Sequence, residues 1–320
     1  MDMKNQTVTY FIIKGISELN ELQVPVFLLV FLLYLYTLVG NMTILVLVCQ
    51  ERQLHTPMYF FLSNLSILDM SSTTVTLHKT LTTFITGNKT VSFAGCMAHT
   101  YFCMALECTE LLILAVMSYD RYMAVCNPLH YHMIMSYRVC VLLAPICWVS
   151  GFVEVIPLSY ILTNLTCFMT NVINHFFCDV LPLMEISCSD LALLQLWIHT
   201  ENVFISGLMP FSLTVISYIF ITLEILKIRT GSGRRKAFYT CSSHLTIVVL
   251  LYVTLFCLYL LPTSRSSLDS SKIFSLFNTA AVPLLNPIIY SLKNNEVKKA
   301  TMKLFNFFHA KLRHGVYSNV

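Results

Sequence analysis

The stretch MSYDRYMAVCNPLHY, residues 117–131, closes a long apolar run with Asp120 and Arg121 side by side. An unpaired charge in hydrocarbon costs about 2.5 kcal/mol or more, so such a pair persists only at a membrane boundary or with partners. An arginine snorkelling from a helix end toward lipid headgroups is the bland explanation of the same residues. The rest of the chain decides between the two.

Of the 320 residues, 56% are hydrophobic and only 11% charged, far below the roughly one quarter charged of soluble proteins. A bilayer span needs about 20 mostly apolar residues. Seven runs qualify, at residues 24–49, 58–77, 94–125, 139–161, 197–226, 237–261 and 273–292. The expected fold is an all-α membrane protein, a seven-transmembrane helix bundle. Residues 1–23 are expected as an extracellular amino-terminal tail, exposed and too short for a domain. Residues 24–292 form the bundle, and 293–320 a cytoplasmic amphipathic helix and tail.

Residues 1–15 lack the basic start, apolar core and small-residue cleavage site of a signal peptide, so the first span is expected to direct insertion. Fourteen lysines and arginines fall on one side of the membrane, among them Arg52, Arg138, Arg234, Arg235 and Lys298. Six fall on the other, Lys4, Lys14, Lys79, Lys89, Arg265 and Lys272. The positive-inside rule then places the amino terminus outside and the carboxyl terminus in the cytosol. The sequons at Asn5, Asn88 and Asn164 fall on the expected outside, and Asn5, in a polar tail, is the best glycosylation candidate. Asn41 and Asn64 match the same pattern within or beside spans, where no glycan is expected.

Polar residues inside apolar runs mark where helices meet. Gly40-Asn41 offers a small residue for close approach beside an amide that needs a partner. Pro57 suits a first helical turn. Asp69 is expected to face the bundle interior. Glu107 and Glu110, three apart, occupy one face of the third span; the pair suits an enzyme's acids, a proton relay or the lining of a ligand pocket. Pro210 interrupts the fifth run, and 227–236, KIRTGSGRRK, reads as a basic loop. Pro287 is expected to disrupt the seventh helix, with Asn286 and Tyr290 re-satisfying the freed backbone. Val297, Leu304, Phe305 and Phe308 among Lys298, Lys299 and Lys303 suit an amphipathic helix on the inner leaflet.

Of the 12 cysteines, Cys96, Cys167, Cys178 and Cys188 fall on the oxidising side, and four cysteines allow three pairings. His175 and Cys178-Asp179 carry metal-ligand chemistry, but the set is incomplete and a disulfide would consume Cys178. No metal, cofactor or nucleic acid is expected.

Together these parts resemble a rhodopsin-like G-protein-coupled receptor. Asp120-Arg121-Tyr122, Asn286-Pro287-Ile288-Ile289-Tyr290, Gly40-Asn41 and Asp69 stand in the right spans and order. Within that class the chain is similar to olfactory receptors, through residues 54–66, 117–126, Ser217-Tyr218, 236–245 and 283–294. The resemblance covers nearly the whole chain. It implies that Arg121 is released on activation to form a G-protein socket, with Asp120 restraining it at rest, and that Tyr122 and Tyr218 belong to the same machinery. Asn286, Pro287 and Tyr290 would form a rearranging seventh helix coupled through Asp69. Cys96 would pair with Cys178, and Cys167 with Cys188.

Departures are equally specific. No acid occurs between Lys227 and Leu245 to hold Arg121 from the sixth helix, so restraint falls to Asp120 or to polar groups such as Thr240 and His244. Tyr252 stands where most rhodopsin-like receptors have Trp, as is usual in the olfactory branch. Cys167 lies one place earlier than the commonest loop pattern.

The resemblance implies a small, mostly apolar volatile odorant bound between the third, fifth, sixth and seventh helices. Cys103, Met104, Glu107 and Cys108 follow i, i+1, i+4, i+5 spacing on the third. Asn202, Ser206, Tyr252 and Tyr259 supply polar contacts from the fifth and sixth. Glu110 matches an acid common in the branch and is expected to be structural. Glu107 is less expected there; ionised it favours an amine, neutral it donates a hydrogen bond. The implied partners are an odorant, an olfactory-type stimulatory G protein that raises cyclic AMP, membrane lipid and a trafficking helper, at the plasma membrane of olfactory cilia. A transporter would show an internal repeat, a channel a filter or pore ring, and a hydrolase a nucleophile with its base; the sequence offers none of these. A receptor of the same fold for a non-volatile stimulus is the alternative.

Overall fold

The computed structural model describes residues 8–17, 19–198, 200, 206–259, 268–293 and 296–303. Its helices are α1 Gln23–Gln50, α2 Pro57–Thr86, α3 Phe93–Cys126, α4 Tyr131–Ile134, α5 Tyr137–Glu154, α6 Ile156–Thr163, α7 Val180–Ile186, α8 Ala192–Trp197, α9 Met209–Lys227, α10 Gly231–Tyr259, α11 Leu268–Leu276 and α12 Val282–Lys293. A π-helical turn, Phe277–Ala281, joins α11 to α12. Residues 296–303 are also helical. Three short strands, β1 Tyr10–Ile13, β2 Thr90–Ser92 and β3 Val172–Ile173, complete the fold.

Six segments are long and apolar enough to cross a membrane: α1, α3, α5 with α6, the segment ending in α9, α10, and the segment running from α11 into α12. The seventh is α2, 30 residues long but rich in Ser and Thr. Its hydroxyls return to the carbonyls one turn back, Ser63 to Tyr59 at 2.9 Å and Thr74 to Met70 at 2.7 Å, so the helix satisfies its own polar groups.

Several boundaries differ from expectation, for identifiable reasons. The fourth span breaks at Val155, because Pro157 in the first turn of α6 has no amide hydrogen to continue α5. Pro210 likewise marks a change of winding: residues 206–208 take the wider π geometry, and regular helix begins at Met209. Most of the expected basic loop is helical, since α10 starts at Gly231 and leaves only three connecting residues, 228–230. Lys and Arg are good helix formers that keep their charges in water while the backbone stays bonded.

Pro287 does not break the seventh helix, which continues through it within α12. The carbonyl it leaves without a helical partner is that of Pro283, four residues back. Asn41 Nδ2 of α1 donates to it at 3.0 Å, so α1 rather than Asn286 or Tyr290 supplies the missing bond. Gly40 makes this approach possible: a Cβ there would lie 2.9 Å from Pro287 Cγ. Gly151 does the same between α5 and α3, where a Cβ would meet the Thr109 amide nitrogen at 2.7 Å. Asn64 accepts from Trp148 Nε1 at 3.1 Å, joining α2 to α5.

The amino-terminal segment is not simply an exposed tail. β1 pairs antiparallel with β2, Phe11 opposite Val91, and parallel with β3, Ile13 opposite Ile173. Period-two alternation turns Phe11 and Ile13 inward, at 0% and 3% exposure. The sheet closes one end of the bundle, and Arg121 marks the other. At the arginine end Val297 and Ala300 pack into the main core, and Lys303 Nζ meets Glu51 at 2.7 Å, which agrees with an amphipathic helix. Residues 304–308 of that expected helix lie outside the described residues.

Candidate functional site

Near the sheet end a cavity of about 30 Å³ lies between α2, α3, α10 and the seventh segment, beneath the connection that follows the fourth span. Ser72 and Thr76 of α2 face Cys103, Met104, Glu107 and Glu110 of α3, with Leu258, Ser275, Asn278 and Thr279 opposite and Phe177 and Asp179 from the connection. Asn278 Nδ2 donates to Glu107 Oε1 at 3.0 Å, and Thr254 Oγ1 of α10 donates to Asn278 Oδ1 at 3.3 Å. The third, sixth and seventh segments therefore meet at one amide.

The connection is fixed over the cavity by two disulfides, Cys96–Cys178 and Cys167–Cys188. Thr80 Oγ1 adds a hydrogen bond to the Phe176 carbonyl at 3.1 Å. Asp179 caps α7, accepting from the Val180 amide at 2.7 Å, and burial pushes its carboxyl up to about 6. His175 is packed between Phe176 and Phe177, with ring centroids 4.7 and 4.6 Å away. Burial, with the Lys272 ammonium nearby, drives His175 down to about 3, so it is neutral at physiological pH. Cys178, oxidised to Cys96, is no metal ligand.

The expected pocket residues divide. Cys103, Met104 and Glu107 line the cavity. Cys108 faces away, against Ser206, which donates to Glu154 of α5. One residue is 100° of helical rotation, and that step carries Cys108 from the cavity wall to the fourth and fifth spans. Tyr252 packs tilted against Phe211, with ring centroids 4.8 Å apart, along an apolar groove of about 440 Å³ between α9 and α10. Asn202 lies outside the described residues, as does the side chain of Tyr259. Among the described residues the cavity wall expected from the fifth helix is supplied by α2, whose Ser72 and Thr76 face inward. Asn278 went unrecognised in the sequence, and Asp179 was considered only for metal-ligand chemistry beside Cys178. The signal for Asp179 was its place beside a cysteine tied to the start of α3; that for Asn278 was an amide inside an apolar run.

Deeper in the bundle Asn286 Nδ2 donates to both oxygens of Asp69, at 3.0 and 2.9 Å, with both side chains 1% exposed. Tyr290, also 1% exposed, follows one turn below. At the arginine end, Arg121 Nε and Nη2 donate to Asp120 Oδ2 at 3.0 and 2.5 Å. Tyr131 OH donates to Asp120 Oδ1 at 2.8 Å. Burial and the Asp120 carboxylate raise the Tyr131 hydroxyl above its ordinary range, so it stays a donor. Sequence reasoning missed Tyr131, although it ends the quoted stretch. His244 is engaged by Tyr218, whose OH lies 2.8 Å from its Nδ1, and the side chain of Thr240 is outside the described residues. Tyr122 packs on Phe220, with centroids 5.9 Å apart.

The bundle defines a fold class, the seven-helix transmembrane bundle. It superposes on the crystal structure of squid rhodopsin with a TM-score of 0.70, covering 90% of this chain and 86% of that one at 16% identity, which bears on fold alone. The olfactory receptor family model matches residues 30–307. Human olfactory receptor 2AP1 is 42% identical over 298 residues, 93% of this chain and 96% of that protein. Human olfactory receptor 8D4 is 44% identical over 306 residues, 95% and 97% of the two chains, and mouse olfactory receptor 8G50 is 43% identical over 312, 95% and 98%. The chain belongs to the olfactory receptor family. It is a receptor and not an enzyme, a multi-pass plasma membrane protein that takes small-molecule odorants and couples to a G protein.

Proposed function

We propose that this receptor binds a small, mostly apolar volatile ligand among its spans and activates an olfactory-type stimulatory G protein, raising cyclic AMP. The sheet end is extracellular and the arginine end cytosolic, in cilia of olfactory neurons. A trafficking helper and membrane lipid assist its delivery, and Asn5 carries the glycan.

One observation carries this reading. Asn278, bonded to Glu107 at the cavity and set within the π-helical turn, and Asn286, bonded to Asp69, belong to one continuous segment. A ligand that favours one position of Asn278 therefore biases Asn286, Pro287 and Tyr290, and through them the packing around Arg121. Such a ligand acts only through its differential affinity for the two arrangements. Cys103, Met104 and Glu107 serve as ligand contacts. Asp120, Arg121, Tyr122 and Tyr218 serve as the coupling face.

The test is cyclic AMP in cells expressing an amino-terminally tagged receptor with a trafficking helper and the olfactory stimulatory G protein, challenged with a broad odorant panel. A ligand-dependent rise that Arg121→Ala abolishes at equal surface staining is the expected result. Silence across the panel despite strong surface staining would count against the proposed ligand class and coupling.

A further inference from the structure

Three carboxylic acids, Glu107, Glu110 and Asp179, line the same small cavity. Two have partial partners: Glu107 receives Asn278, and Asp179 receives the Val180 amide. Glu110 is 8% exposed, and its Oε1 has no hydrogen-bond partner among the described residues. No lysine, arginine or histidine is among the described residues of the lining. The nearby ammonium of Lys272 is directed at Asn174 Oδ1, 2.9 Å away. A buried carboxylate without a partner is costly, and like charges in one site raise that cost further. The cavity is built to receive positive charge, or hydrogen-bond donors, from a ligand.

The remaining walls say which kind. Ser72, Thr76, Ser275, Asn278 and Thr279 add neutral polar groups, while Met104, Phe177 and Leu258 give an apolar side, which suits a charged head carrying a short hydrocarbon tail. Among the described residues no three His, Cys, Asp or Glu side chains are grouped so as to hold a metal ion. A volume of about 30 Å³ holds roughly two or three water-sized groups, given about 10–15 Å³ for each.

Resting on the reading of the chain as a ligand-gated receptor, we propose that the cavity binds small protonated alkylamines, the ammonium held between Glu107 and Asp179 above Glu110. The ammonium has three donors, and the three acids supply acceptors. The alkyl chain lies on Met104, Phe177 and Leu258. The described lining belongs to α2, α3, α10, the seventh segment and the connection.

Two experiments test it together. The first compares cyclic AMP responses to short primary alkylamines with those to alcohols of the same carbon skeleton. Amines are expected to be more potent by about tenfold or more, the charge-assisted contacts being absent in the alcohols. Glu107→Gln and Asp179→Asn should each weaken the amine by about tenfold relative to a neutral agonist from the broad panel tested on the same variant. The second measures thermal stability of the purified full-length receptor with alkylammonium chloride or sodium chloride at equal ionic strength, and requires no signalling. An upward shift specific to the amine, lost in Glu107→Gln, supports the site even if coupling to the G protein fails. Responses to neutral odorants with no response or shift from amines would overturn this proposal and leave the receptor reading intact. An equal shift from sodium alone would show a bare cation site and overturn the amine. Glu110→Gln, which removes charge without changing shape, serves as the second variant if Glu107→Gln reaches the membrane poorly.

Discussion

Asn41 donates to the carbonyl of Pro283 at 3.0 Å, the one backbone acceptor that Pro287 strips of its helical partner. The first and seventh spans are thereby joined through a defect in one and a side chain of the other. Leaving that acceptor unsatisfied costs about 1–3 kcal/mol. Asn41→Leu is expected to lower thermal stability by this amount. Gly40→Ala should do comparable damage, since its Cβ would lie 2.9 Å from Pro287 Cγ and force the helices apart. Unfolding of both variants in detergent checks this; a Gly40→Ala protein as stable as wild type would show that the contact yields easily.

Tyr131→Phe removes the hydroxyl that holds Asp120 Oδ1 at 2.8 Å and keeps the ring. A hydrogen bond to a charged group is worth about 1.5–3 kcal/mol, and Asp120 is then held from one side only. Ligand-free cyclic AMP should rise severalfold at matched surface expression. An unchanged baseline would mean that Tyr131 has no part in restraining Arg121.

Asp179 gives a pH dependence with a definite sign. Its folded-state carboxyl sits at about 6 against an ordinary 3.8, so the folded protein retains a proton that the unfolded chain loses between those values. Stability from this group is greatest below about pH 4, falls as pH rises through 6, and is then lower by up to about 3 kcal/mol. Asp179→Asn keeps the acceptor that caps α7 and removes the ionisation. The variant should melt higher than wild type at pH 7.5 and by a clearly smaller margin at pH 4.5, and equal differences at both values would refute the assignment.

Phe11 and Tyr10 are neighbours with opposite fates, 0% and 47% exposed. Phe11→Ala should cost about 3–5 kcal/mol, the range for a buried aromatic, and reduce the fraction of receptor reaching the cell surface. Tyr10→Ala should be nearly silent. Comparable losses from both would mean that the strand acts through its sequence in transit and not through its packing.

Much of this architecture is local information. Seven apolar runs, the charges between them and the prolines are properties of short windows, and they locate the first and third spans to within a residue, whereas α2 runs nine residues past the expected end and α9 begins 12 after the expected start. The ends moved where a local rule met another: Pro157 split the fourth span, and the basic stretch after Lys227 became the start of α10. Tail residues 10–13 were misjudged because four residues of alternation are too few to announce a strand without the edges they pair with. Pro287 was expected to break its helix because the sequence shows the missing hydrogen and not the donor in α1 that replaces it.

The sequence by itself determined that this is a seven-span membrane protein, and through five blocks in order, that it resembles olfactory receptors. Hydrophobic period and charge bias require no knowledge of distant neighbours. Tertiary structure alone decided which polar group meets which: Glu107 with Asn278, Asp120 with Tyr131, Cys108 with Ser206 and not with the cavity. Each residue turns a helix by 100°, so the partner of a buried side chain depends on the rotation and depth of every helix around it, and packing sets both.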